Sequence, residues 1–440
     1  MLAIKGKYVL PINESMDITE DGIVIVEGNK IKAVGKREEL EAQLEAAHDN
    51  QHEIEVIDAG NSIVMPGLIN THTHAAMAYF RGLADDLPLD IWLGEHIWPA
   101  ENKHLSPEFV KQSGELAILE MIKSGTTFFN DMYLFEDVLG KAAEEAGIRA
   151  MIGSVIFNFP CASSKSPEDT LNQALEQMEM FKGSELITVA LDPHAIYTCA
   201  GNILKKINEI SKEMNAAIHI HLSETEKEVE DSKKEHGKTP VEYLNELGLL
   251  SPRLIIAHAV WLSDNDLELL ARNNVKVAHC PVSNKKLASG VAPISKMLKK
   301  GITVGLGTDG AASNNTLDMF SDMRITALLH KVSNMDPTVI SAREAVKMAT
   351  IDGARVLGLD QKTGSLEPGK LADIITINLD KPHLQPITDP YSHLVYCVNG
   401  ADVENAIING KIVMQGRKVI TLDEERIIEA AKAFSYSAEN

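Results

Sequence analysis

A chain of 440 residues, 44% hydrophobic and 24% charged, is long enough for one large domain plus a small one. Its 42 lysines and arginines stand against 63 aspartates and glutamates, a net charge of -21. That field repels phosphate backbones and anionic membranes, so nucleic acid and acidic lipid surfaces are excluded as expected partners. The first ten residues carry Lys5 and Lys7 and no apolar core, so no signal peptide is expected. No stretch approaches the roughly 18 apolar residues of a membrane span. Cys161, Cys199, Cys280 and Cys397 form no C-x-x-C pair. A reducing, cytoplasmic setting is the expectation.

In chain order, residues 22–28 and 30–35 flank a Gly28-Asn29 turn and read as a β-hairpin. Residues 38–48 read as a polar helix. Near the other end, 372–378 reads as a strand and 406–414 as a hairpin turning at Asn409-Gly410. The two ends are expected to form one small composite β-sandwich domain from residues 1–62 and 372–440, with a helix after Asp423 packed outside it.

Between them, residues 63–371 alternate strands with helical patterns. Candidate strands lie at 63–70, 126–131, 148–157, 187–192, 216–222, 254–259, 275–279 and 302–308. Eight strands with intervening helices over roughly 300 residues predict an α/β (β/α)₈ TIM barrel. A doubly wound open sheet is the competing architecture. No G-x-G-x-x-G follows the first strand and no Walker A motif occurs, so a nucleotide-phosphate cradle is not signalled.

Polar residues gather at the C-terminal ends of these strands, where barrel enzymes place their sites. The first strand ends in His72 and His74, which alternation puts on one face. The fourth ends in Asp192-Pro-His194, the fifth carries His219-Ile-His221 followed by Glu224, and the sixth ends in His258. The seventh ends in His279, and the eighth in Asp309. Alone, each histidine fits a packing residue and Asp309 fits a turn. Together they make a mixed His/Asp set of the type that holds Zn²⁺, Fe²⁺ or Mn²⁺.

Pro66-Gly-Leu-Ile-Asn-Thr-His-Thr-His74, Ile218-His-Ile-His-Leu-Ser-Glu224, Ala257-His258 and Gly307-Thr-Asp309 resemble the amidohydrolase superfamily. Trp98-Pro-Ala-Glu101, Pro193-His-Ala-Ile-Tyr-Thr198, the segment from His279 to Gly290 and Asp309-Gly-Ala-Ala-Ser-Asn-Asn315 resemble its 5′-methylthioadenosine/S-adenosylhomocysteine deaminase branch. The resemblance implies a hydrolytic deaminase of adenosyl nucleosides with one divalent metal per chain, zinc first and Fe²⁺ or Mn²⁺ next. By motif, His72, His74, His221 and Asp309 would be ligands. His258 would hold the attacking water, Glu224 would shuttle protons, and Asp309 would take the water's proton. Glu101 and His194 would bind substrate, together with Glu224 and Asp309. His219 is left as a supporting or core residue, and His279 as one that fixes the loop before Ser283 and Asn284. The expected partners are a small nucleoside and further copies of the chain.

One segment departs from that branch. Gly153 and Ser154 stand where an arginine of the third strand would hold a substrate carboxylate, and Arg149 lies earlier. Lys165 is the remaining candidate cation. Leu83, Leu87, Trp92 and Trp98 are candidates for an apolar 5′ pocket, or for loop packing. Two alternatives stay open: another aminopurine or triazine substrate on the same fold, and an inactive scaffold relative.

Overall fold

The stretch from Ile63 to His74 divides at Gly67. In the computed structural model, which describes residues 1–49 and 54–434, Ser62–Pro66 runs parallel to Leu2–Val9 and antiparallel to Ile374–Asn378. Beyond Gly67, whose N–H donates to Asp373 O (3.0 Å), the chain enters a second sheet. Both pieces are fully buried. One continuous apolar run therefore serves two sheets, and no polar residue marks the change.

The second sheet is the barrel. Its strands are β1 (Leu68–Thr73), β2 (Thr126–Tyr133), β3 (Arg149–Ile156), β4 in two pieces (Ile187–Val189 and Asp192–Pro193), β5 (Ile218–Leu222), β6 (Leu254–His258), β7 (Lys276–His279) and β8 (Val304–Leu306). Parallel ladders join β1 through β4 and β5 through β8. A parallel bridge between Leu191 and Ile218 links the two runs. The barrel closes from β8 back to β1, where Thr71 Oγ1 donates to Leu306 O (2.9 Å) and Asp309 N–H donates to His72 O (2.9 Å). This is the predicted (β/α)₈ architecture, with helices such as Pro107–Lys123 and Pro167–Met180 following strands.

Alternation stacks the interior in layers. An apolar floor contains Ile69, Phe128, Met151, Ala190, Ile255 and Ala278, covered by Ala354, Val356 and Leu357. Two residues on, β2 to β5 bring Asn130, Gly153, Asp192 and His219 to the same side. Two further on come Met132, Val155, His194 and His221, which line the mouth. β1 breaks this parity: its register against β2 shifts between Asn70 and Thr73, so His72 and His74 face inward although Ile69 does too.

The terminal strands pair into one nine-stranded sheet that draws on both chain ends. Leu2, Ile4, Val24 and Val64 meet Ala372, Ile374 and Ile407 in one apolar cluster. The hairpins turn at Gly28-Asn29 and Asn409-Gly410 as read, and the polar helix spans Arg37–Asp49. The C-terminal helix Glu424–Ala433 is tied to the barrel helix Pro107–Lys123, through Glu424 to Lys123 (2.8 Å) and Arg426 to Glu115 (2.9 Å). Among the described residues, no helix is long and apolar enough to cross a membrane.

Closure needs Gly307. A Cβ there would lie 2.8 Å from His72 N and 2.9 Å from His72 O, so β1 and β8 could not approach. Gly307→Ala is expected to lower stability by about 1–3 kcal/mol, the usual cost of overpacking. The urea midpoint measures it; an unchanged midpoint would show that the seam yields.

Candidate metal-dependent active site

At the C-terminal mouth, four predicted ligands converge. Nε2 of His72 and of His74 lie 3.4 and 3.2 Å from Asp309 Oδ1, and His221 Nε2 lies 3.3 Å from His74 Nε2. The donor atoms of His72, His74 and Asp309 all fall within 4.8 Å of one another, as do those of His72, His221 and His258. His258 is thus drawn as close as the expected ligands. His72 is fully buried and its Nε2 has no hydrogen-bond partner. Imidazole nitrogens facing one another in a dry interior are costly unless a cation stands between them. The residues present therefore fit a divalent metal ion.

The far side of each ring supports this orientation. His74 Nδ1 donates to Met132 O (2.5 Å) and His221 Nδ1 to His194 O (2.8 Å), which turns both Nε2 atoms toward the centre. His72 Nδ1 meets His219 Nε2 at 3.0 Å, so His219 lies directly behind the ligand set. His219 Nδ1 in turn lies 3.0 Å from Asn130 Nδ2 and 3.6 Å from Asp192 Oδ2. Burial pushes the Asp192 carboxyl up, and His219 pulls it back down.

The electrostatics suit a cation at the centre. Burial alone would lower His74, but Asp309 outweighs it and raises the ring to about 9. Burial would raise Asp309, yet His72 and His74 hold it well below the usual carboxylate range. Burial carries His72 and His221 well below the usual imidazole range, and neighbouring histidines add to the effect. Ser283 and Ser313 donate to Asp309 Oδ2 at 2.6 and 2.9 Å, which aims Oδ1 at the histidines.

Glu224 and His258 form one wall. His258 Nδ1 donates to Asn284 Oδ1 (2.8 Å), and its Nε2 lies 3.8 Å from Glu224 Oε2. Burial raises the Glu224 carboxyl, with His258 pulling it down. His258 and Asp309 both hold left-handed backbone, at φ 70° and 64°, which costs of order 1–3 kcal/mol for such residues. Such outliers persist where tertiary contacts over-determine them.

A cavity extends outward from this cluster. Trp92, Trp98 and Glu101 line it from the helical run between Leu89 and His104. Leu89, Leu93 and Ile97 line it as well; Leu83 and Leu87 do not, and pack against the core. Tyr133 OH donates to Glu101 Oε1 (2.6 Å), and burial pushes Glu101 up to about 7. His194 also lines the cavity, and burial pulls it down to about 3. His279 turns away from the site: its Nε2 meets His330 Nε2 at 3.2 Å. Ser154 faces the helix layer and bonds Gln177, and Lys165 is exposed outside the cavity lining. Sequence reasoning missed Tyr133, Asn130 and Ser313. The inward side of β2 was the available signal for Asn130, since it lies two residues before Met132.

The amidohydrolase family profile matches residues 63–413. The chain belongs to the amidohydrolase family. This amidohydrolase is 47% identical over 428 residues to a 5-methylthioadenosine/S-adenosylhomocysteine deaminase of Thermodesulfovibrio yellowstonii, covering 97% of this chain and 96% of that protein. It is 44% identical over 433 residues to a 5'-deoxyadenosine deaminase of Methanosarcina mazei, covering 98% and 96%. Among solved structures, a zinc-bound adenosine deaminase of Xanthomonas campestris superposes with a TM-score of 0.93 at 36% identity, covering 98% and 97%. A zinc-complexed atrazine chlorohydrolase of Arthrobacter aurescens superposes at 0.90 with 25% identity, covering 98% and 99%. The expectation of a hydrolytic deaminase, acting on the C–N bond of a cyclic amidine, agrees with the deaminases among these relatives.

If the converging donors hold the ion, His221→Ala or Asp309→Ala should strip metal and turnover together. Metal analysis of the purified variants checks this; a His221→Ala protein with full metal would contradict it.

Proposed function

We infer that this amidohydrolase hydrolytically deaminates adenosyl nucleosides, releasing the inosyl product and ammonia, with zinc held by His72, His74, His221 and Asp309. The observation that carries the reading is the convergence of three imidazole nitrogens and one carboxylate oxygen at the floor of a cavity lined by Glu101, His194 and Glu224. The zinc named for two similar structures supports the choice of metal. The higher identity to nucleoside deaminases than to the triazine enzyme favours an adenosyl substrate. A full donor set speaks against an inactive scaffold. All four cysteines are free, which fits a cytoplasmic setting.

A divalent ion held there would supply Lewis-acid activation, lowering the pKa of water toward about 7. The chain's own residues do the rest. Burial raises the Glu224 carboxyl and so favours its protonated form, which can deliver a proton to a ring nitrogen as water adds to the amino-bearing carbon. Asp309, acidic and held by two serines, accepts the water's proton through the oxygen not held by them. His258, fixed through Nδ1 by Asn284, presents Nε2 to the same water. Glu101 offers its free oxygen to a ribose hydroxyl, and His194 a ring nitrogen to the substrate.

Glu224→Gln should retain metal and lose turnover by roughly 10²-fold or more, the scale of a positioned acid/base. Loss of metal would make Glu224 a ligand, and near-normal turnover would remove it from the mechanism.

The 5′ side decides the substrate. Among the described residues, no lysine or arginine lines the inner cavity. It opens into a vestibule of about 570 Å³ whose acids are Asp90, Glu224, Glu226, Glu228, Asp231 and Glu235; its one lysine, Lys227, is paired with Asp231 at 2.6 Å. A carboxylate there would be desolvated beside like charge. kcat/KM should favour 5′-methylthioadenosine over S-adenosylhomocysteine by roughly tenfold or more, about 1.4 kcal/mol. Steady-state kinetics with both substrates, on the unsubstituted protein and on Lys165→Ala, decide; equal efficiency in both proteins would sink the idea.

A further inference from the structure

Beneath the ligand layer, β2 to β5 contribute Asn130, Gly153, Asp192 and His219 to one buried level. Asp192 is fully buried, and neither of its oxygens has a hydrogen-bond partner. An orphaned buried carboxyl is expensive, so its retention calls for a use. The imidazole beside it is His219, with Nδ1 3.6 Å from Asp192 Oδ2. On its other side, His219 Nε2 lies 3.0 Å from His72 Nδ1.

Space for that carboxyl is made by Gly153. A Cβ on residue 153 would lie 2.1 Å from Asp192 Cγ and 2.3 and 2.4 Å from its oxygens. Any side chain there would expel the carboxyl from its place. Glycine within a strand weakens it, so the close approach is what the residue provides. The missing strand-three arginine thus has a structural counterpart: the room goes to an acid pointing inward.

We propose that Asp192, acting through His219, sets the tautomer of His72 and so leaves its Nε2 bare for the metal. This rests on the proposed ligand set. The line from Asn130 through His219 to His72 admits two proton orders. In one, the Asn130 amide donates to His219 Nδ1, His219 Nε2–H donates to His72 Nδ1, and the remaining proton sits on His72 Nε2. That proton points at Asp309 Oδ1, 3.4 Å away, and closes the site to a cation. In the other, His72 carries its proton on Nδ1 and donates to His219 Nε2. His219 then carries its proton on Nδ1 and needs an acceptor. Asp192 Oδ2, 3.6 Å away, becomes that acceptor as the pair closes to hydrogen-bond distance, and the Asn130 amide, which otherwise donates to Thr71 O at 3.0 Å, can rotate to offer Oδ1, an oxygen without a partner. A carboxylate favours the second order because it attracts the Nδ1 proton and repels a lone pair. Asp192 and His219 are positioning residues: neither touches the proposed substrate cavity.

The test uses full-length zinc protein and two variants that remove the acceptor differently. Asp192→Ala deletes it, and Gly153→Ala displaces it without altering its chemistry. Each should raise the zinc dissociation constant, read by competition with a chelating dye, by roughly 10–100-fold, the usual effect of losing a partner behind a ligand. Histidine labelled with ¹⁵N gives a second reading, with the His219 signals identified by their loss in His219→Gln. In the unsubstituted zinc protein His219 should be protonated at Nδ1, and in both variants this form should decline in favour of Nε2–H. If one variant does not fold, the other carries the test. A folded variant with unchanged zinc affinity, or with weaker zinc but His219 still protonated at Nδ1, overturns the proposal. His72→Ala separates the two levels: if it binds zinc normally, the ligand assignment itself is at fault.

Discussion

One backbone hydrogen bond, from Asp309 N–H to His72 O, joins the last barrel strand to the first and brings two of the proposed ligands together. The rest of the site depends on that seam. His74 and Asp309 reach each other only because β1 and β8 lie side by side, and Gly307 lets them do so. The shifted register of β1 then turns His72 and His74 inward above an apolar floor. Closing the barrel and assembling the donor set are thus one event.

The interior is layered by polarity as well as by shape. At the floor, Phe128, Met151 and Ile255 exclude water. The level above holds Asn130, Asp192 and His219, which no solvent reaches. The proposed ligands come next, and the cavity opens above them. Polar groups at such depth are costly, and here a line of close contacts runs from Asp192 to Asp309 through two imidazoles. Its orientation matters more than its strength, because a metal ligand must present a lone pair and not a proton.

Charge follows the same outward progression. The centre gathers imidazoles around one acid, the inner cavity is apolar around Glu101 and Glu224, and the vestibule is acidic. A neutral nucleoside meets no like charge along this path. The carboxylate of a zwitterionic tail would meet several.

The eight-strand pattern, the hairpins of both ends, and the histidines at strand ends were legible from the sequence, because alternation and turn chemistry are local properties. So were the motifs around His72, His221, His258 and Asp309, since each lies within a few residues. The division of 62–73 between two sheets was not legible: a fully buried strand is apolar on both faces whichever partner it has. Nor were Tyr133 beside Glu101, Ser313 on Asp309, or the turn of His279 toward His330. These contacts join residues distant along the chain, and a side chain's type does not disclose its neighbour. Gly153 is the clearest case. In the sequence it marks only the place of a missing arginine. In the folded barrel it is the space that Asp192 occupies, because β4 pairs beside β3 and lays the Asp192 carboxyl against the glycine.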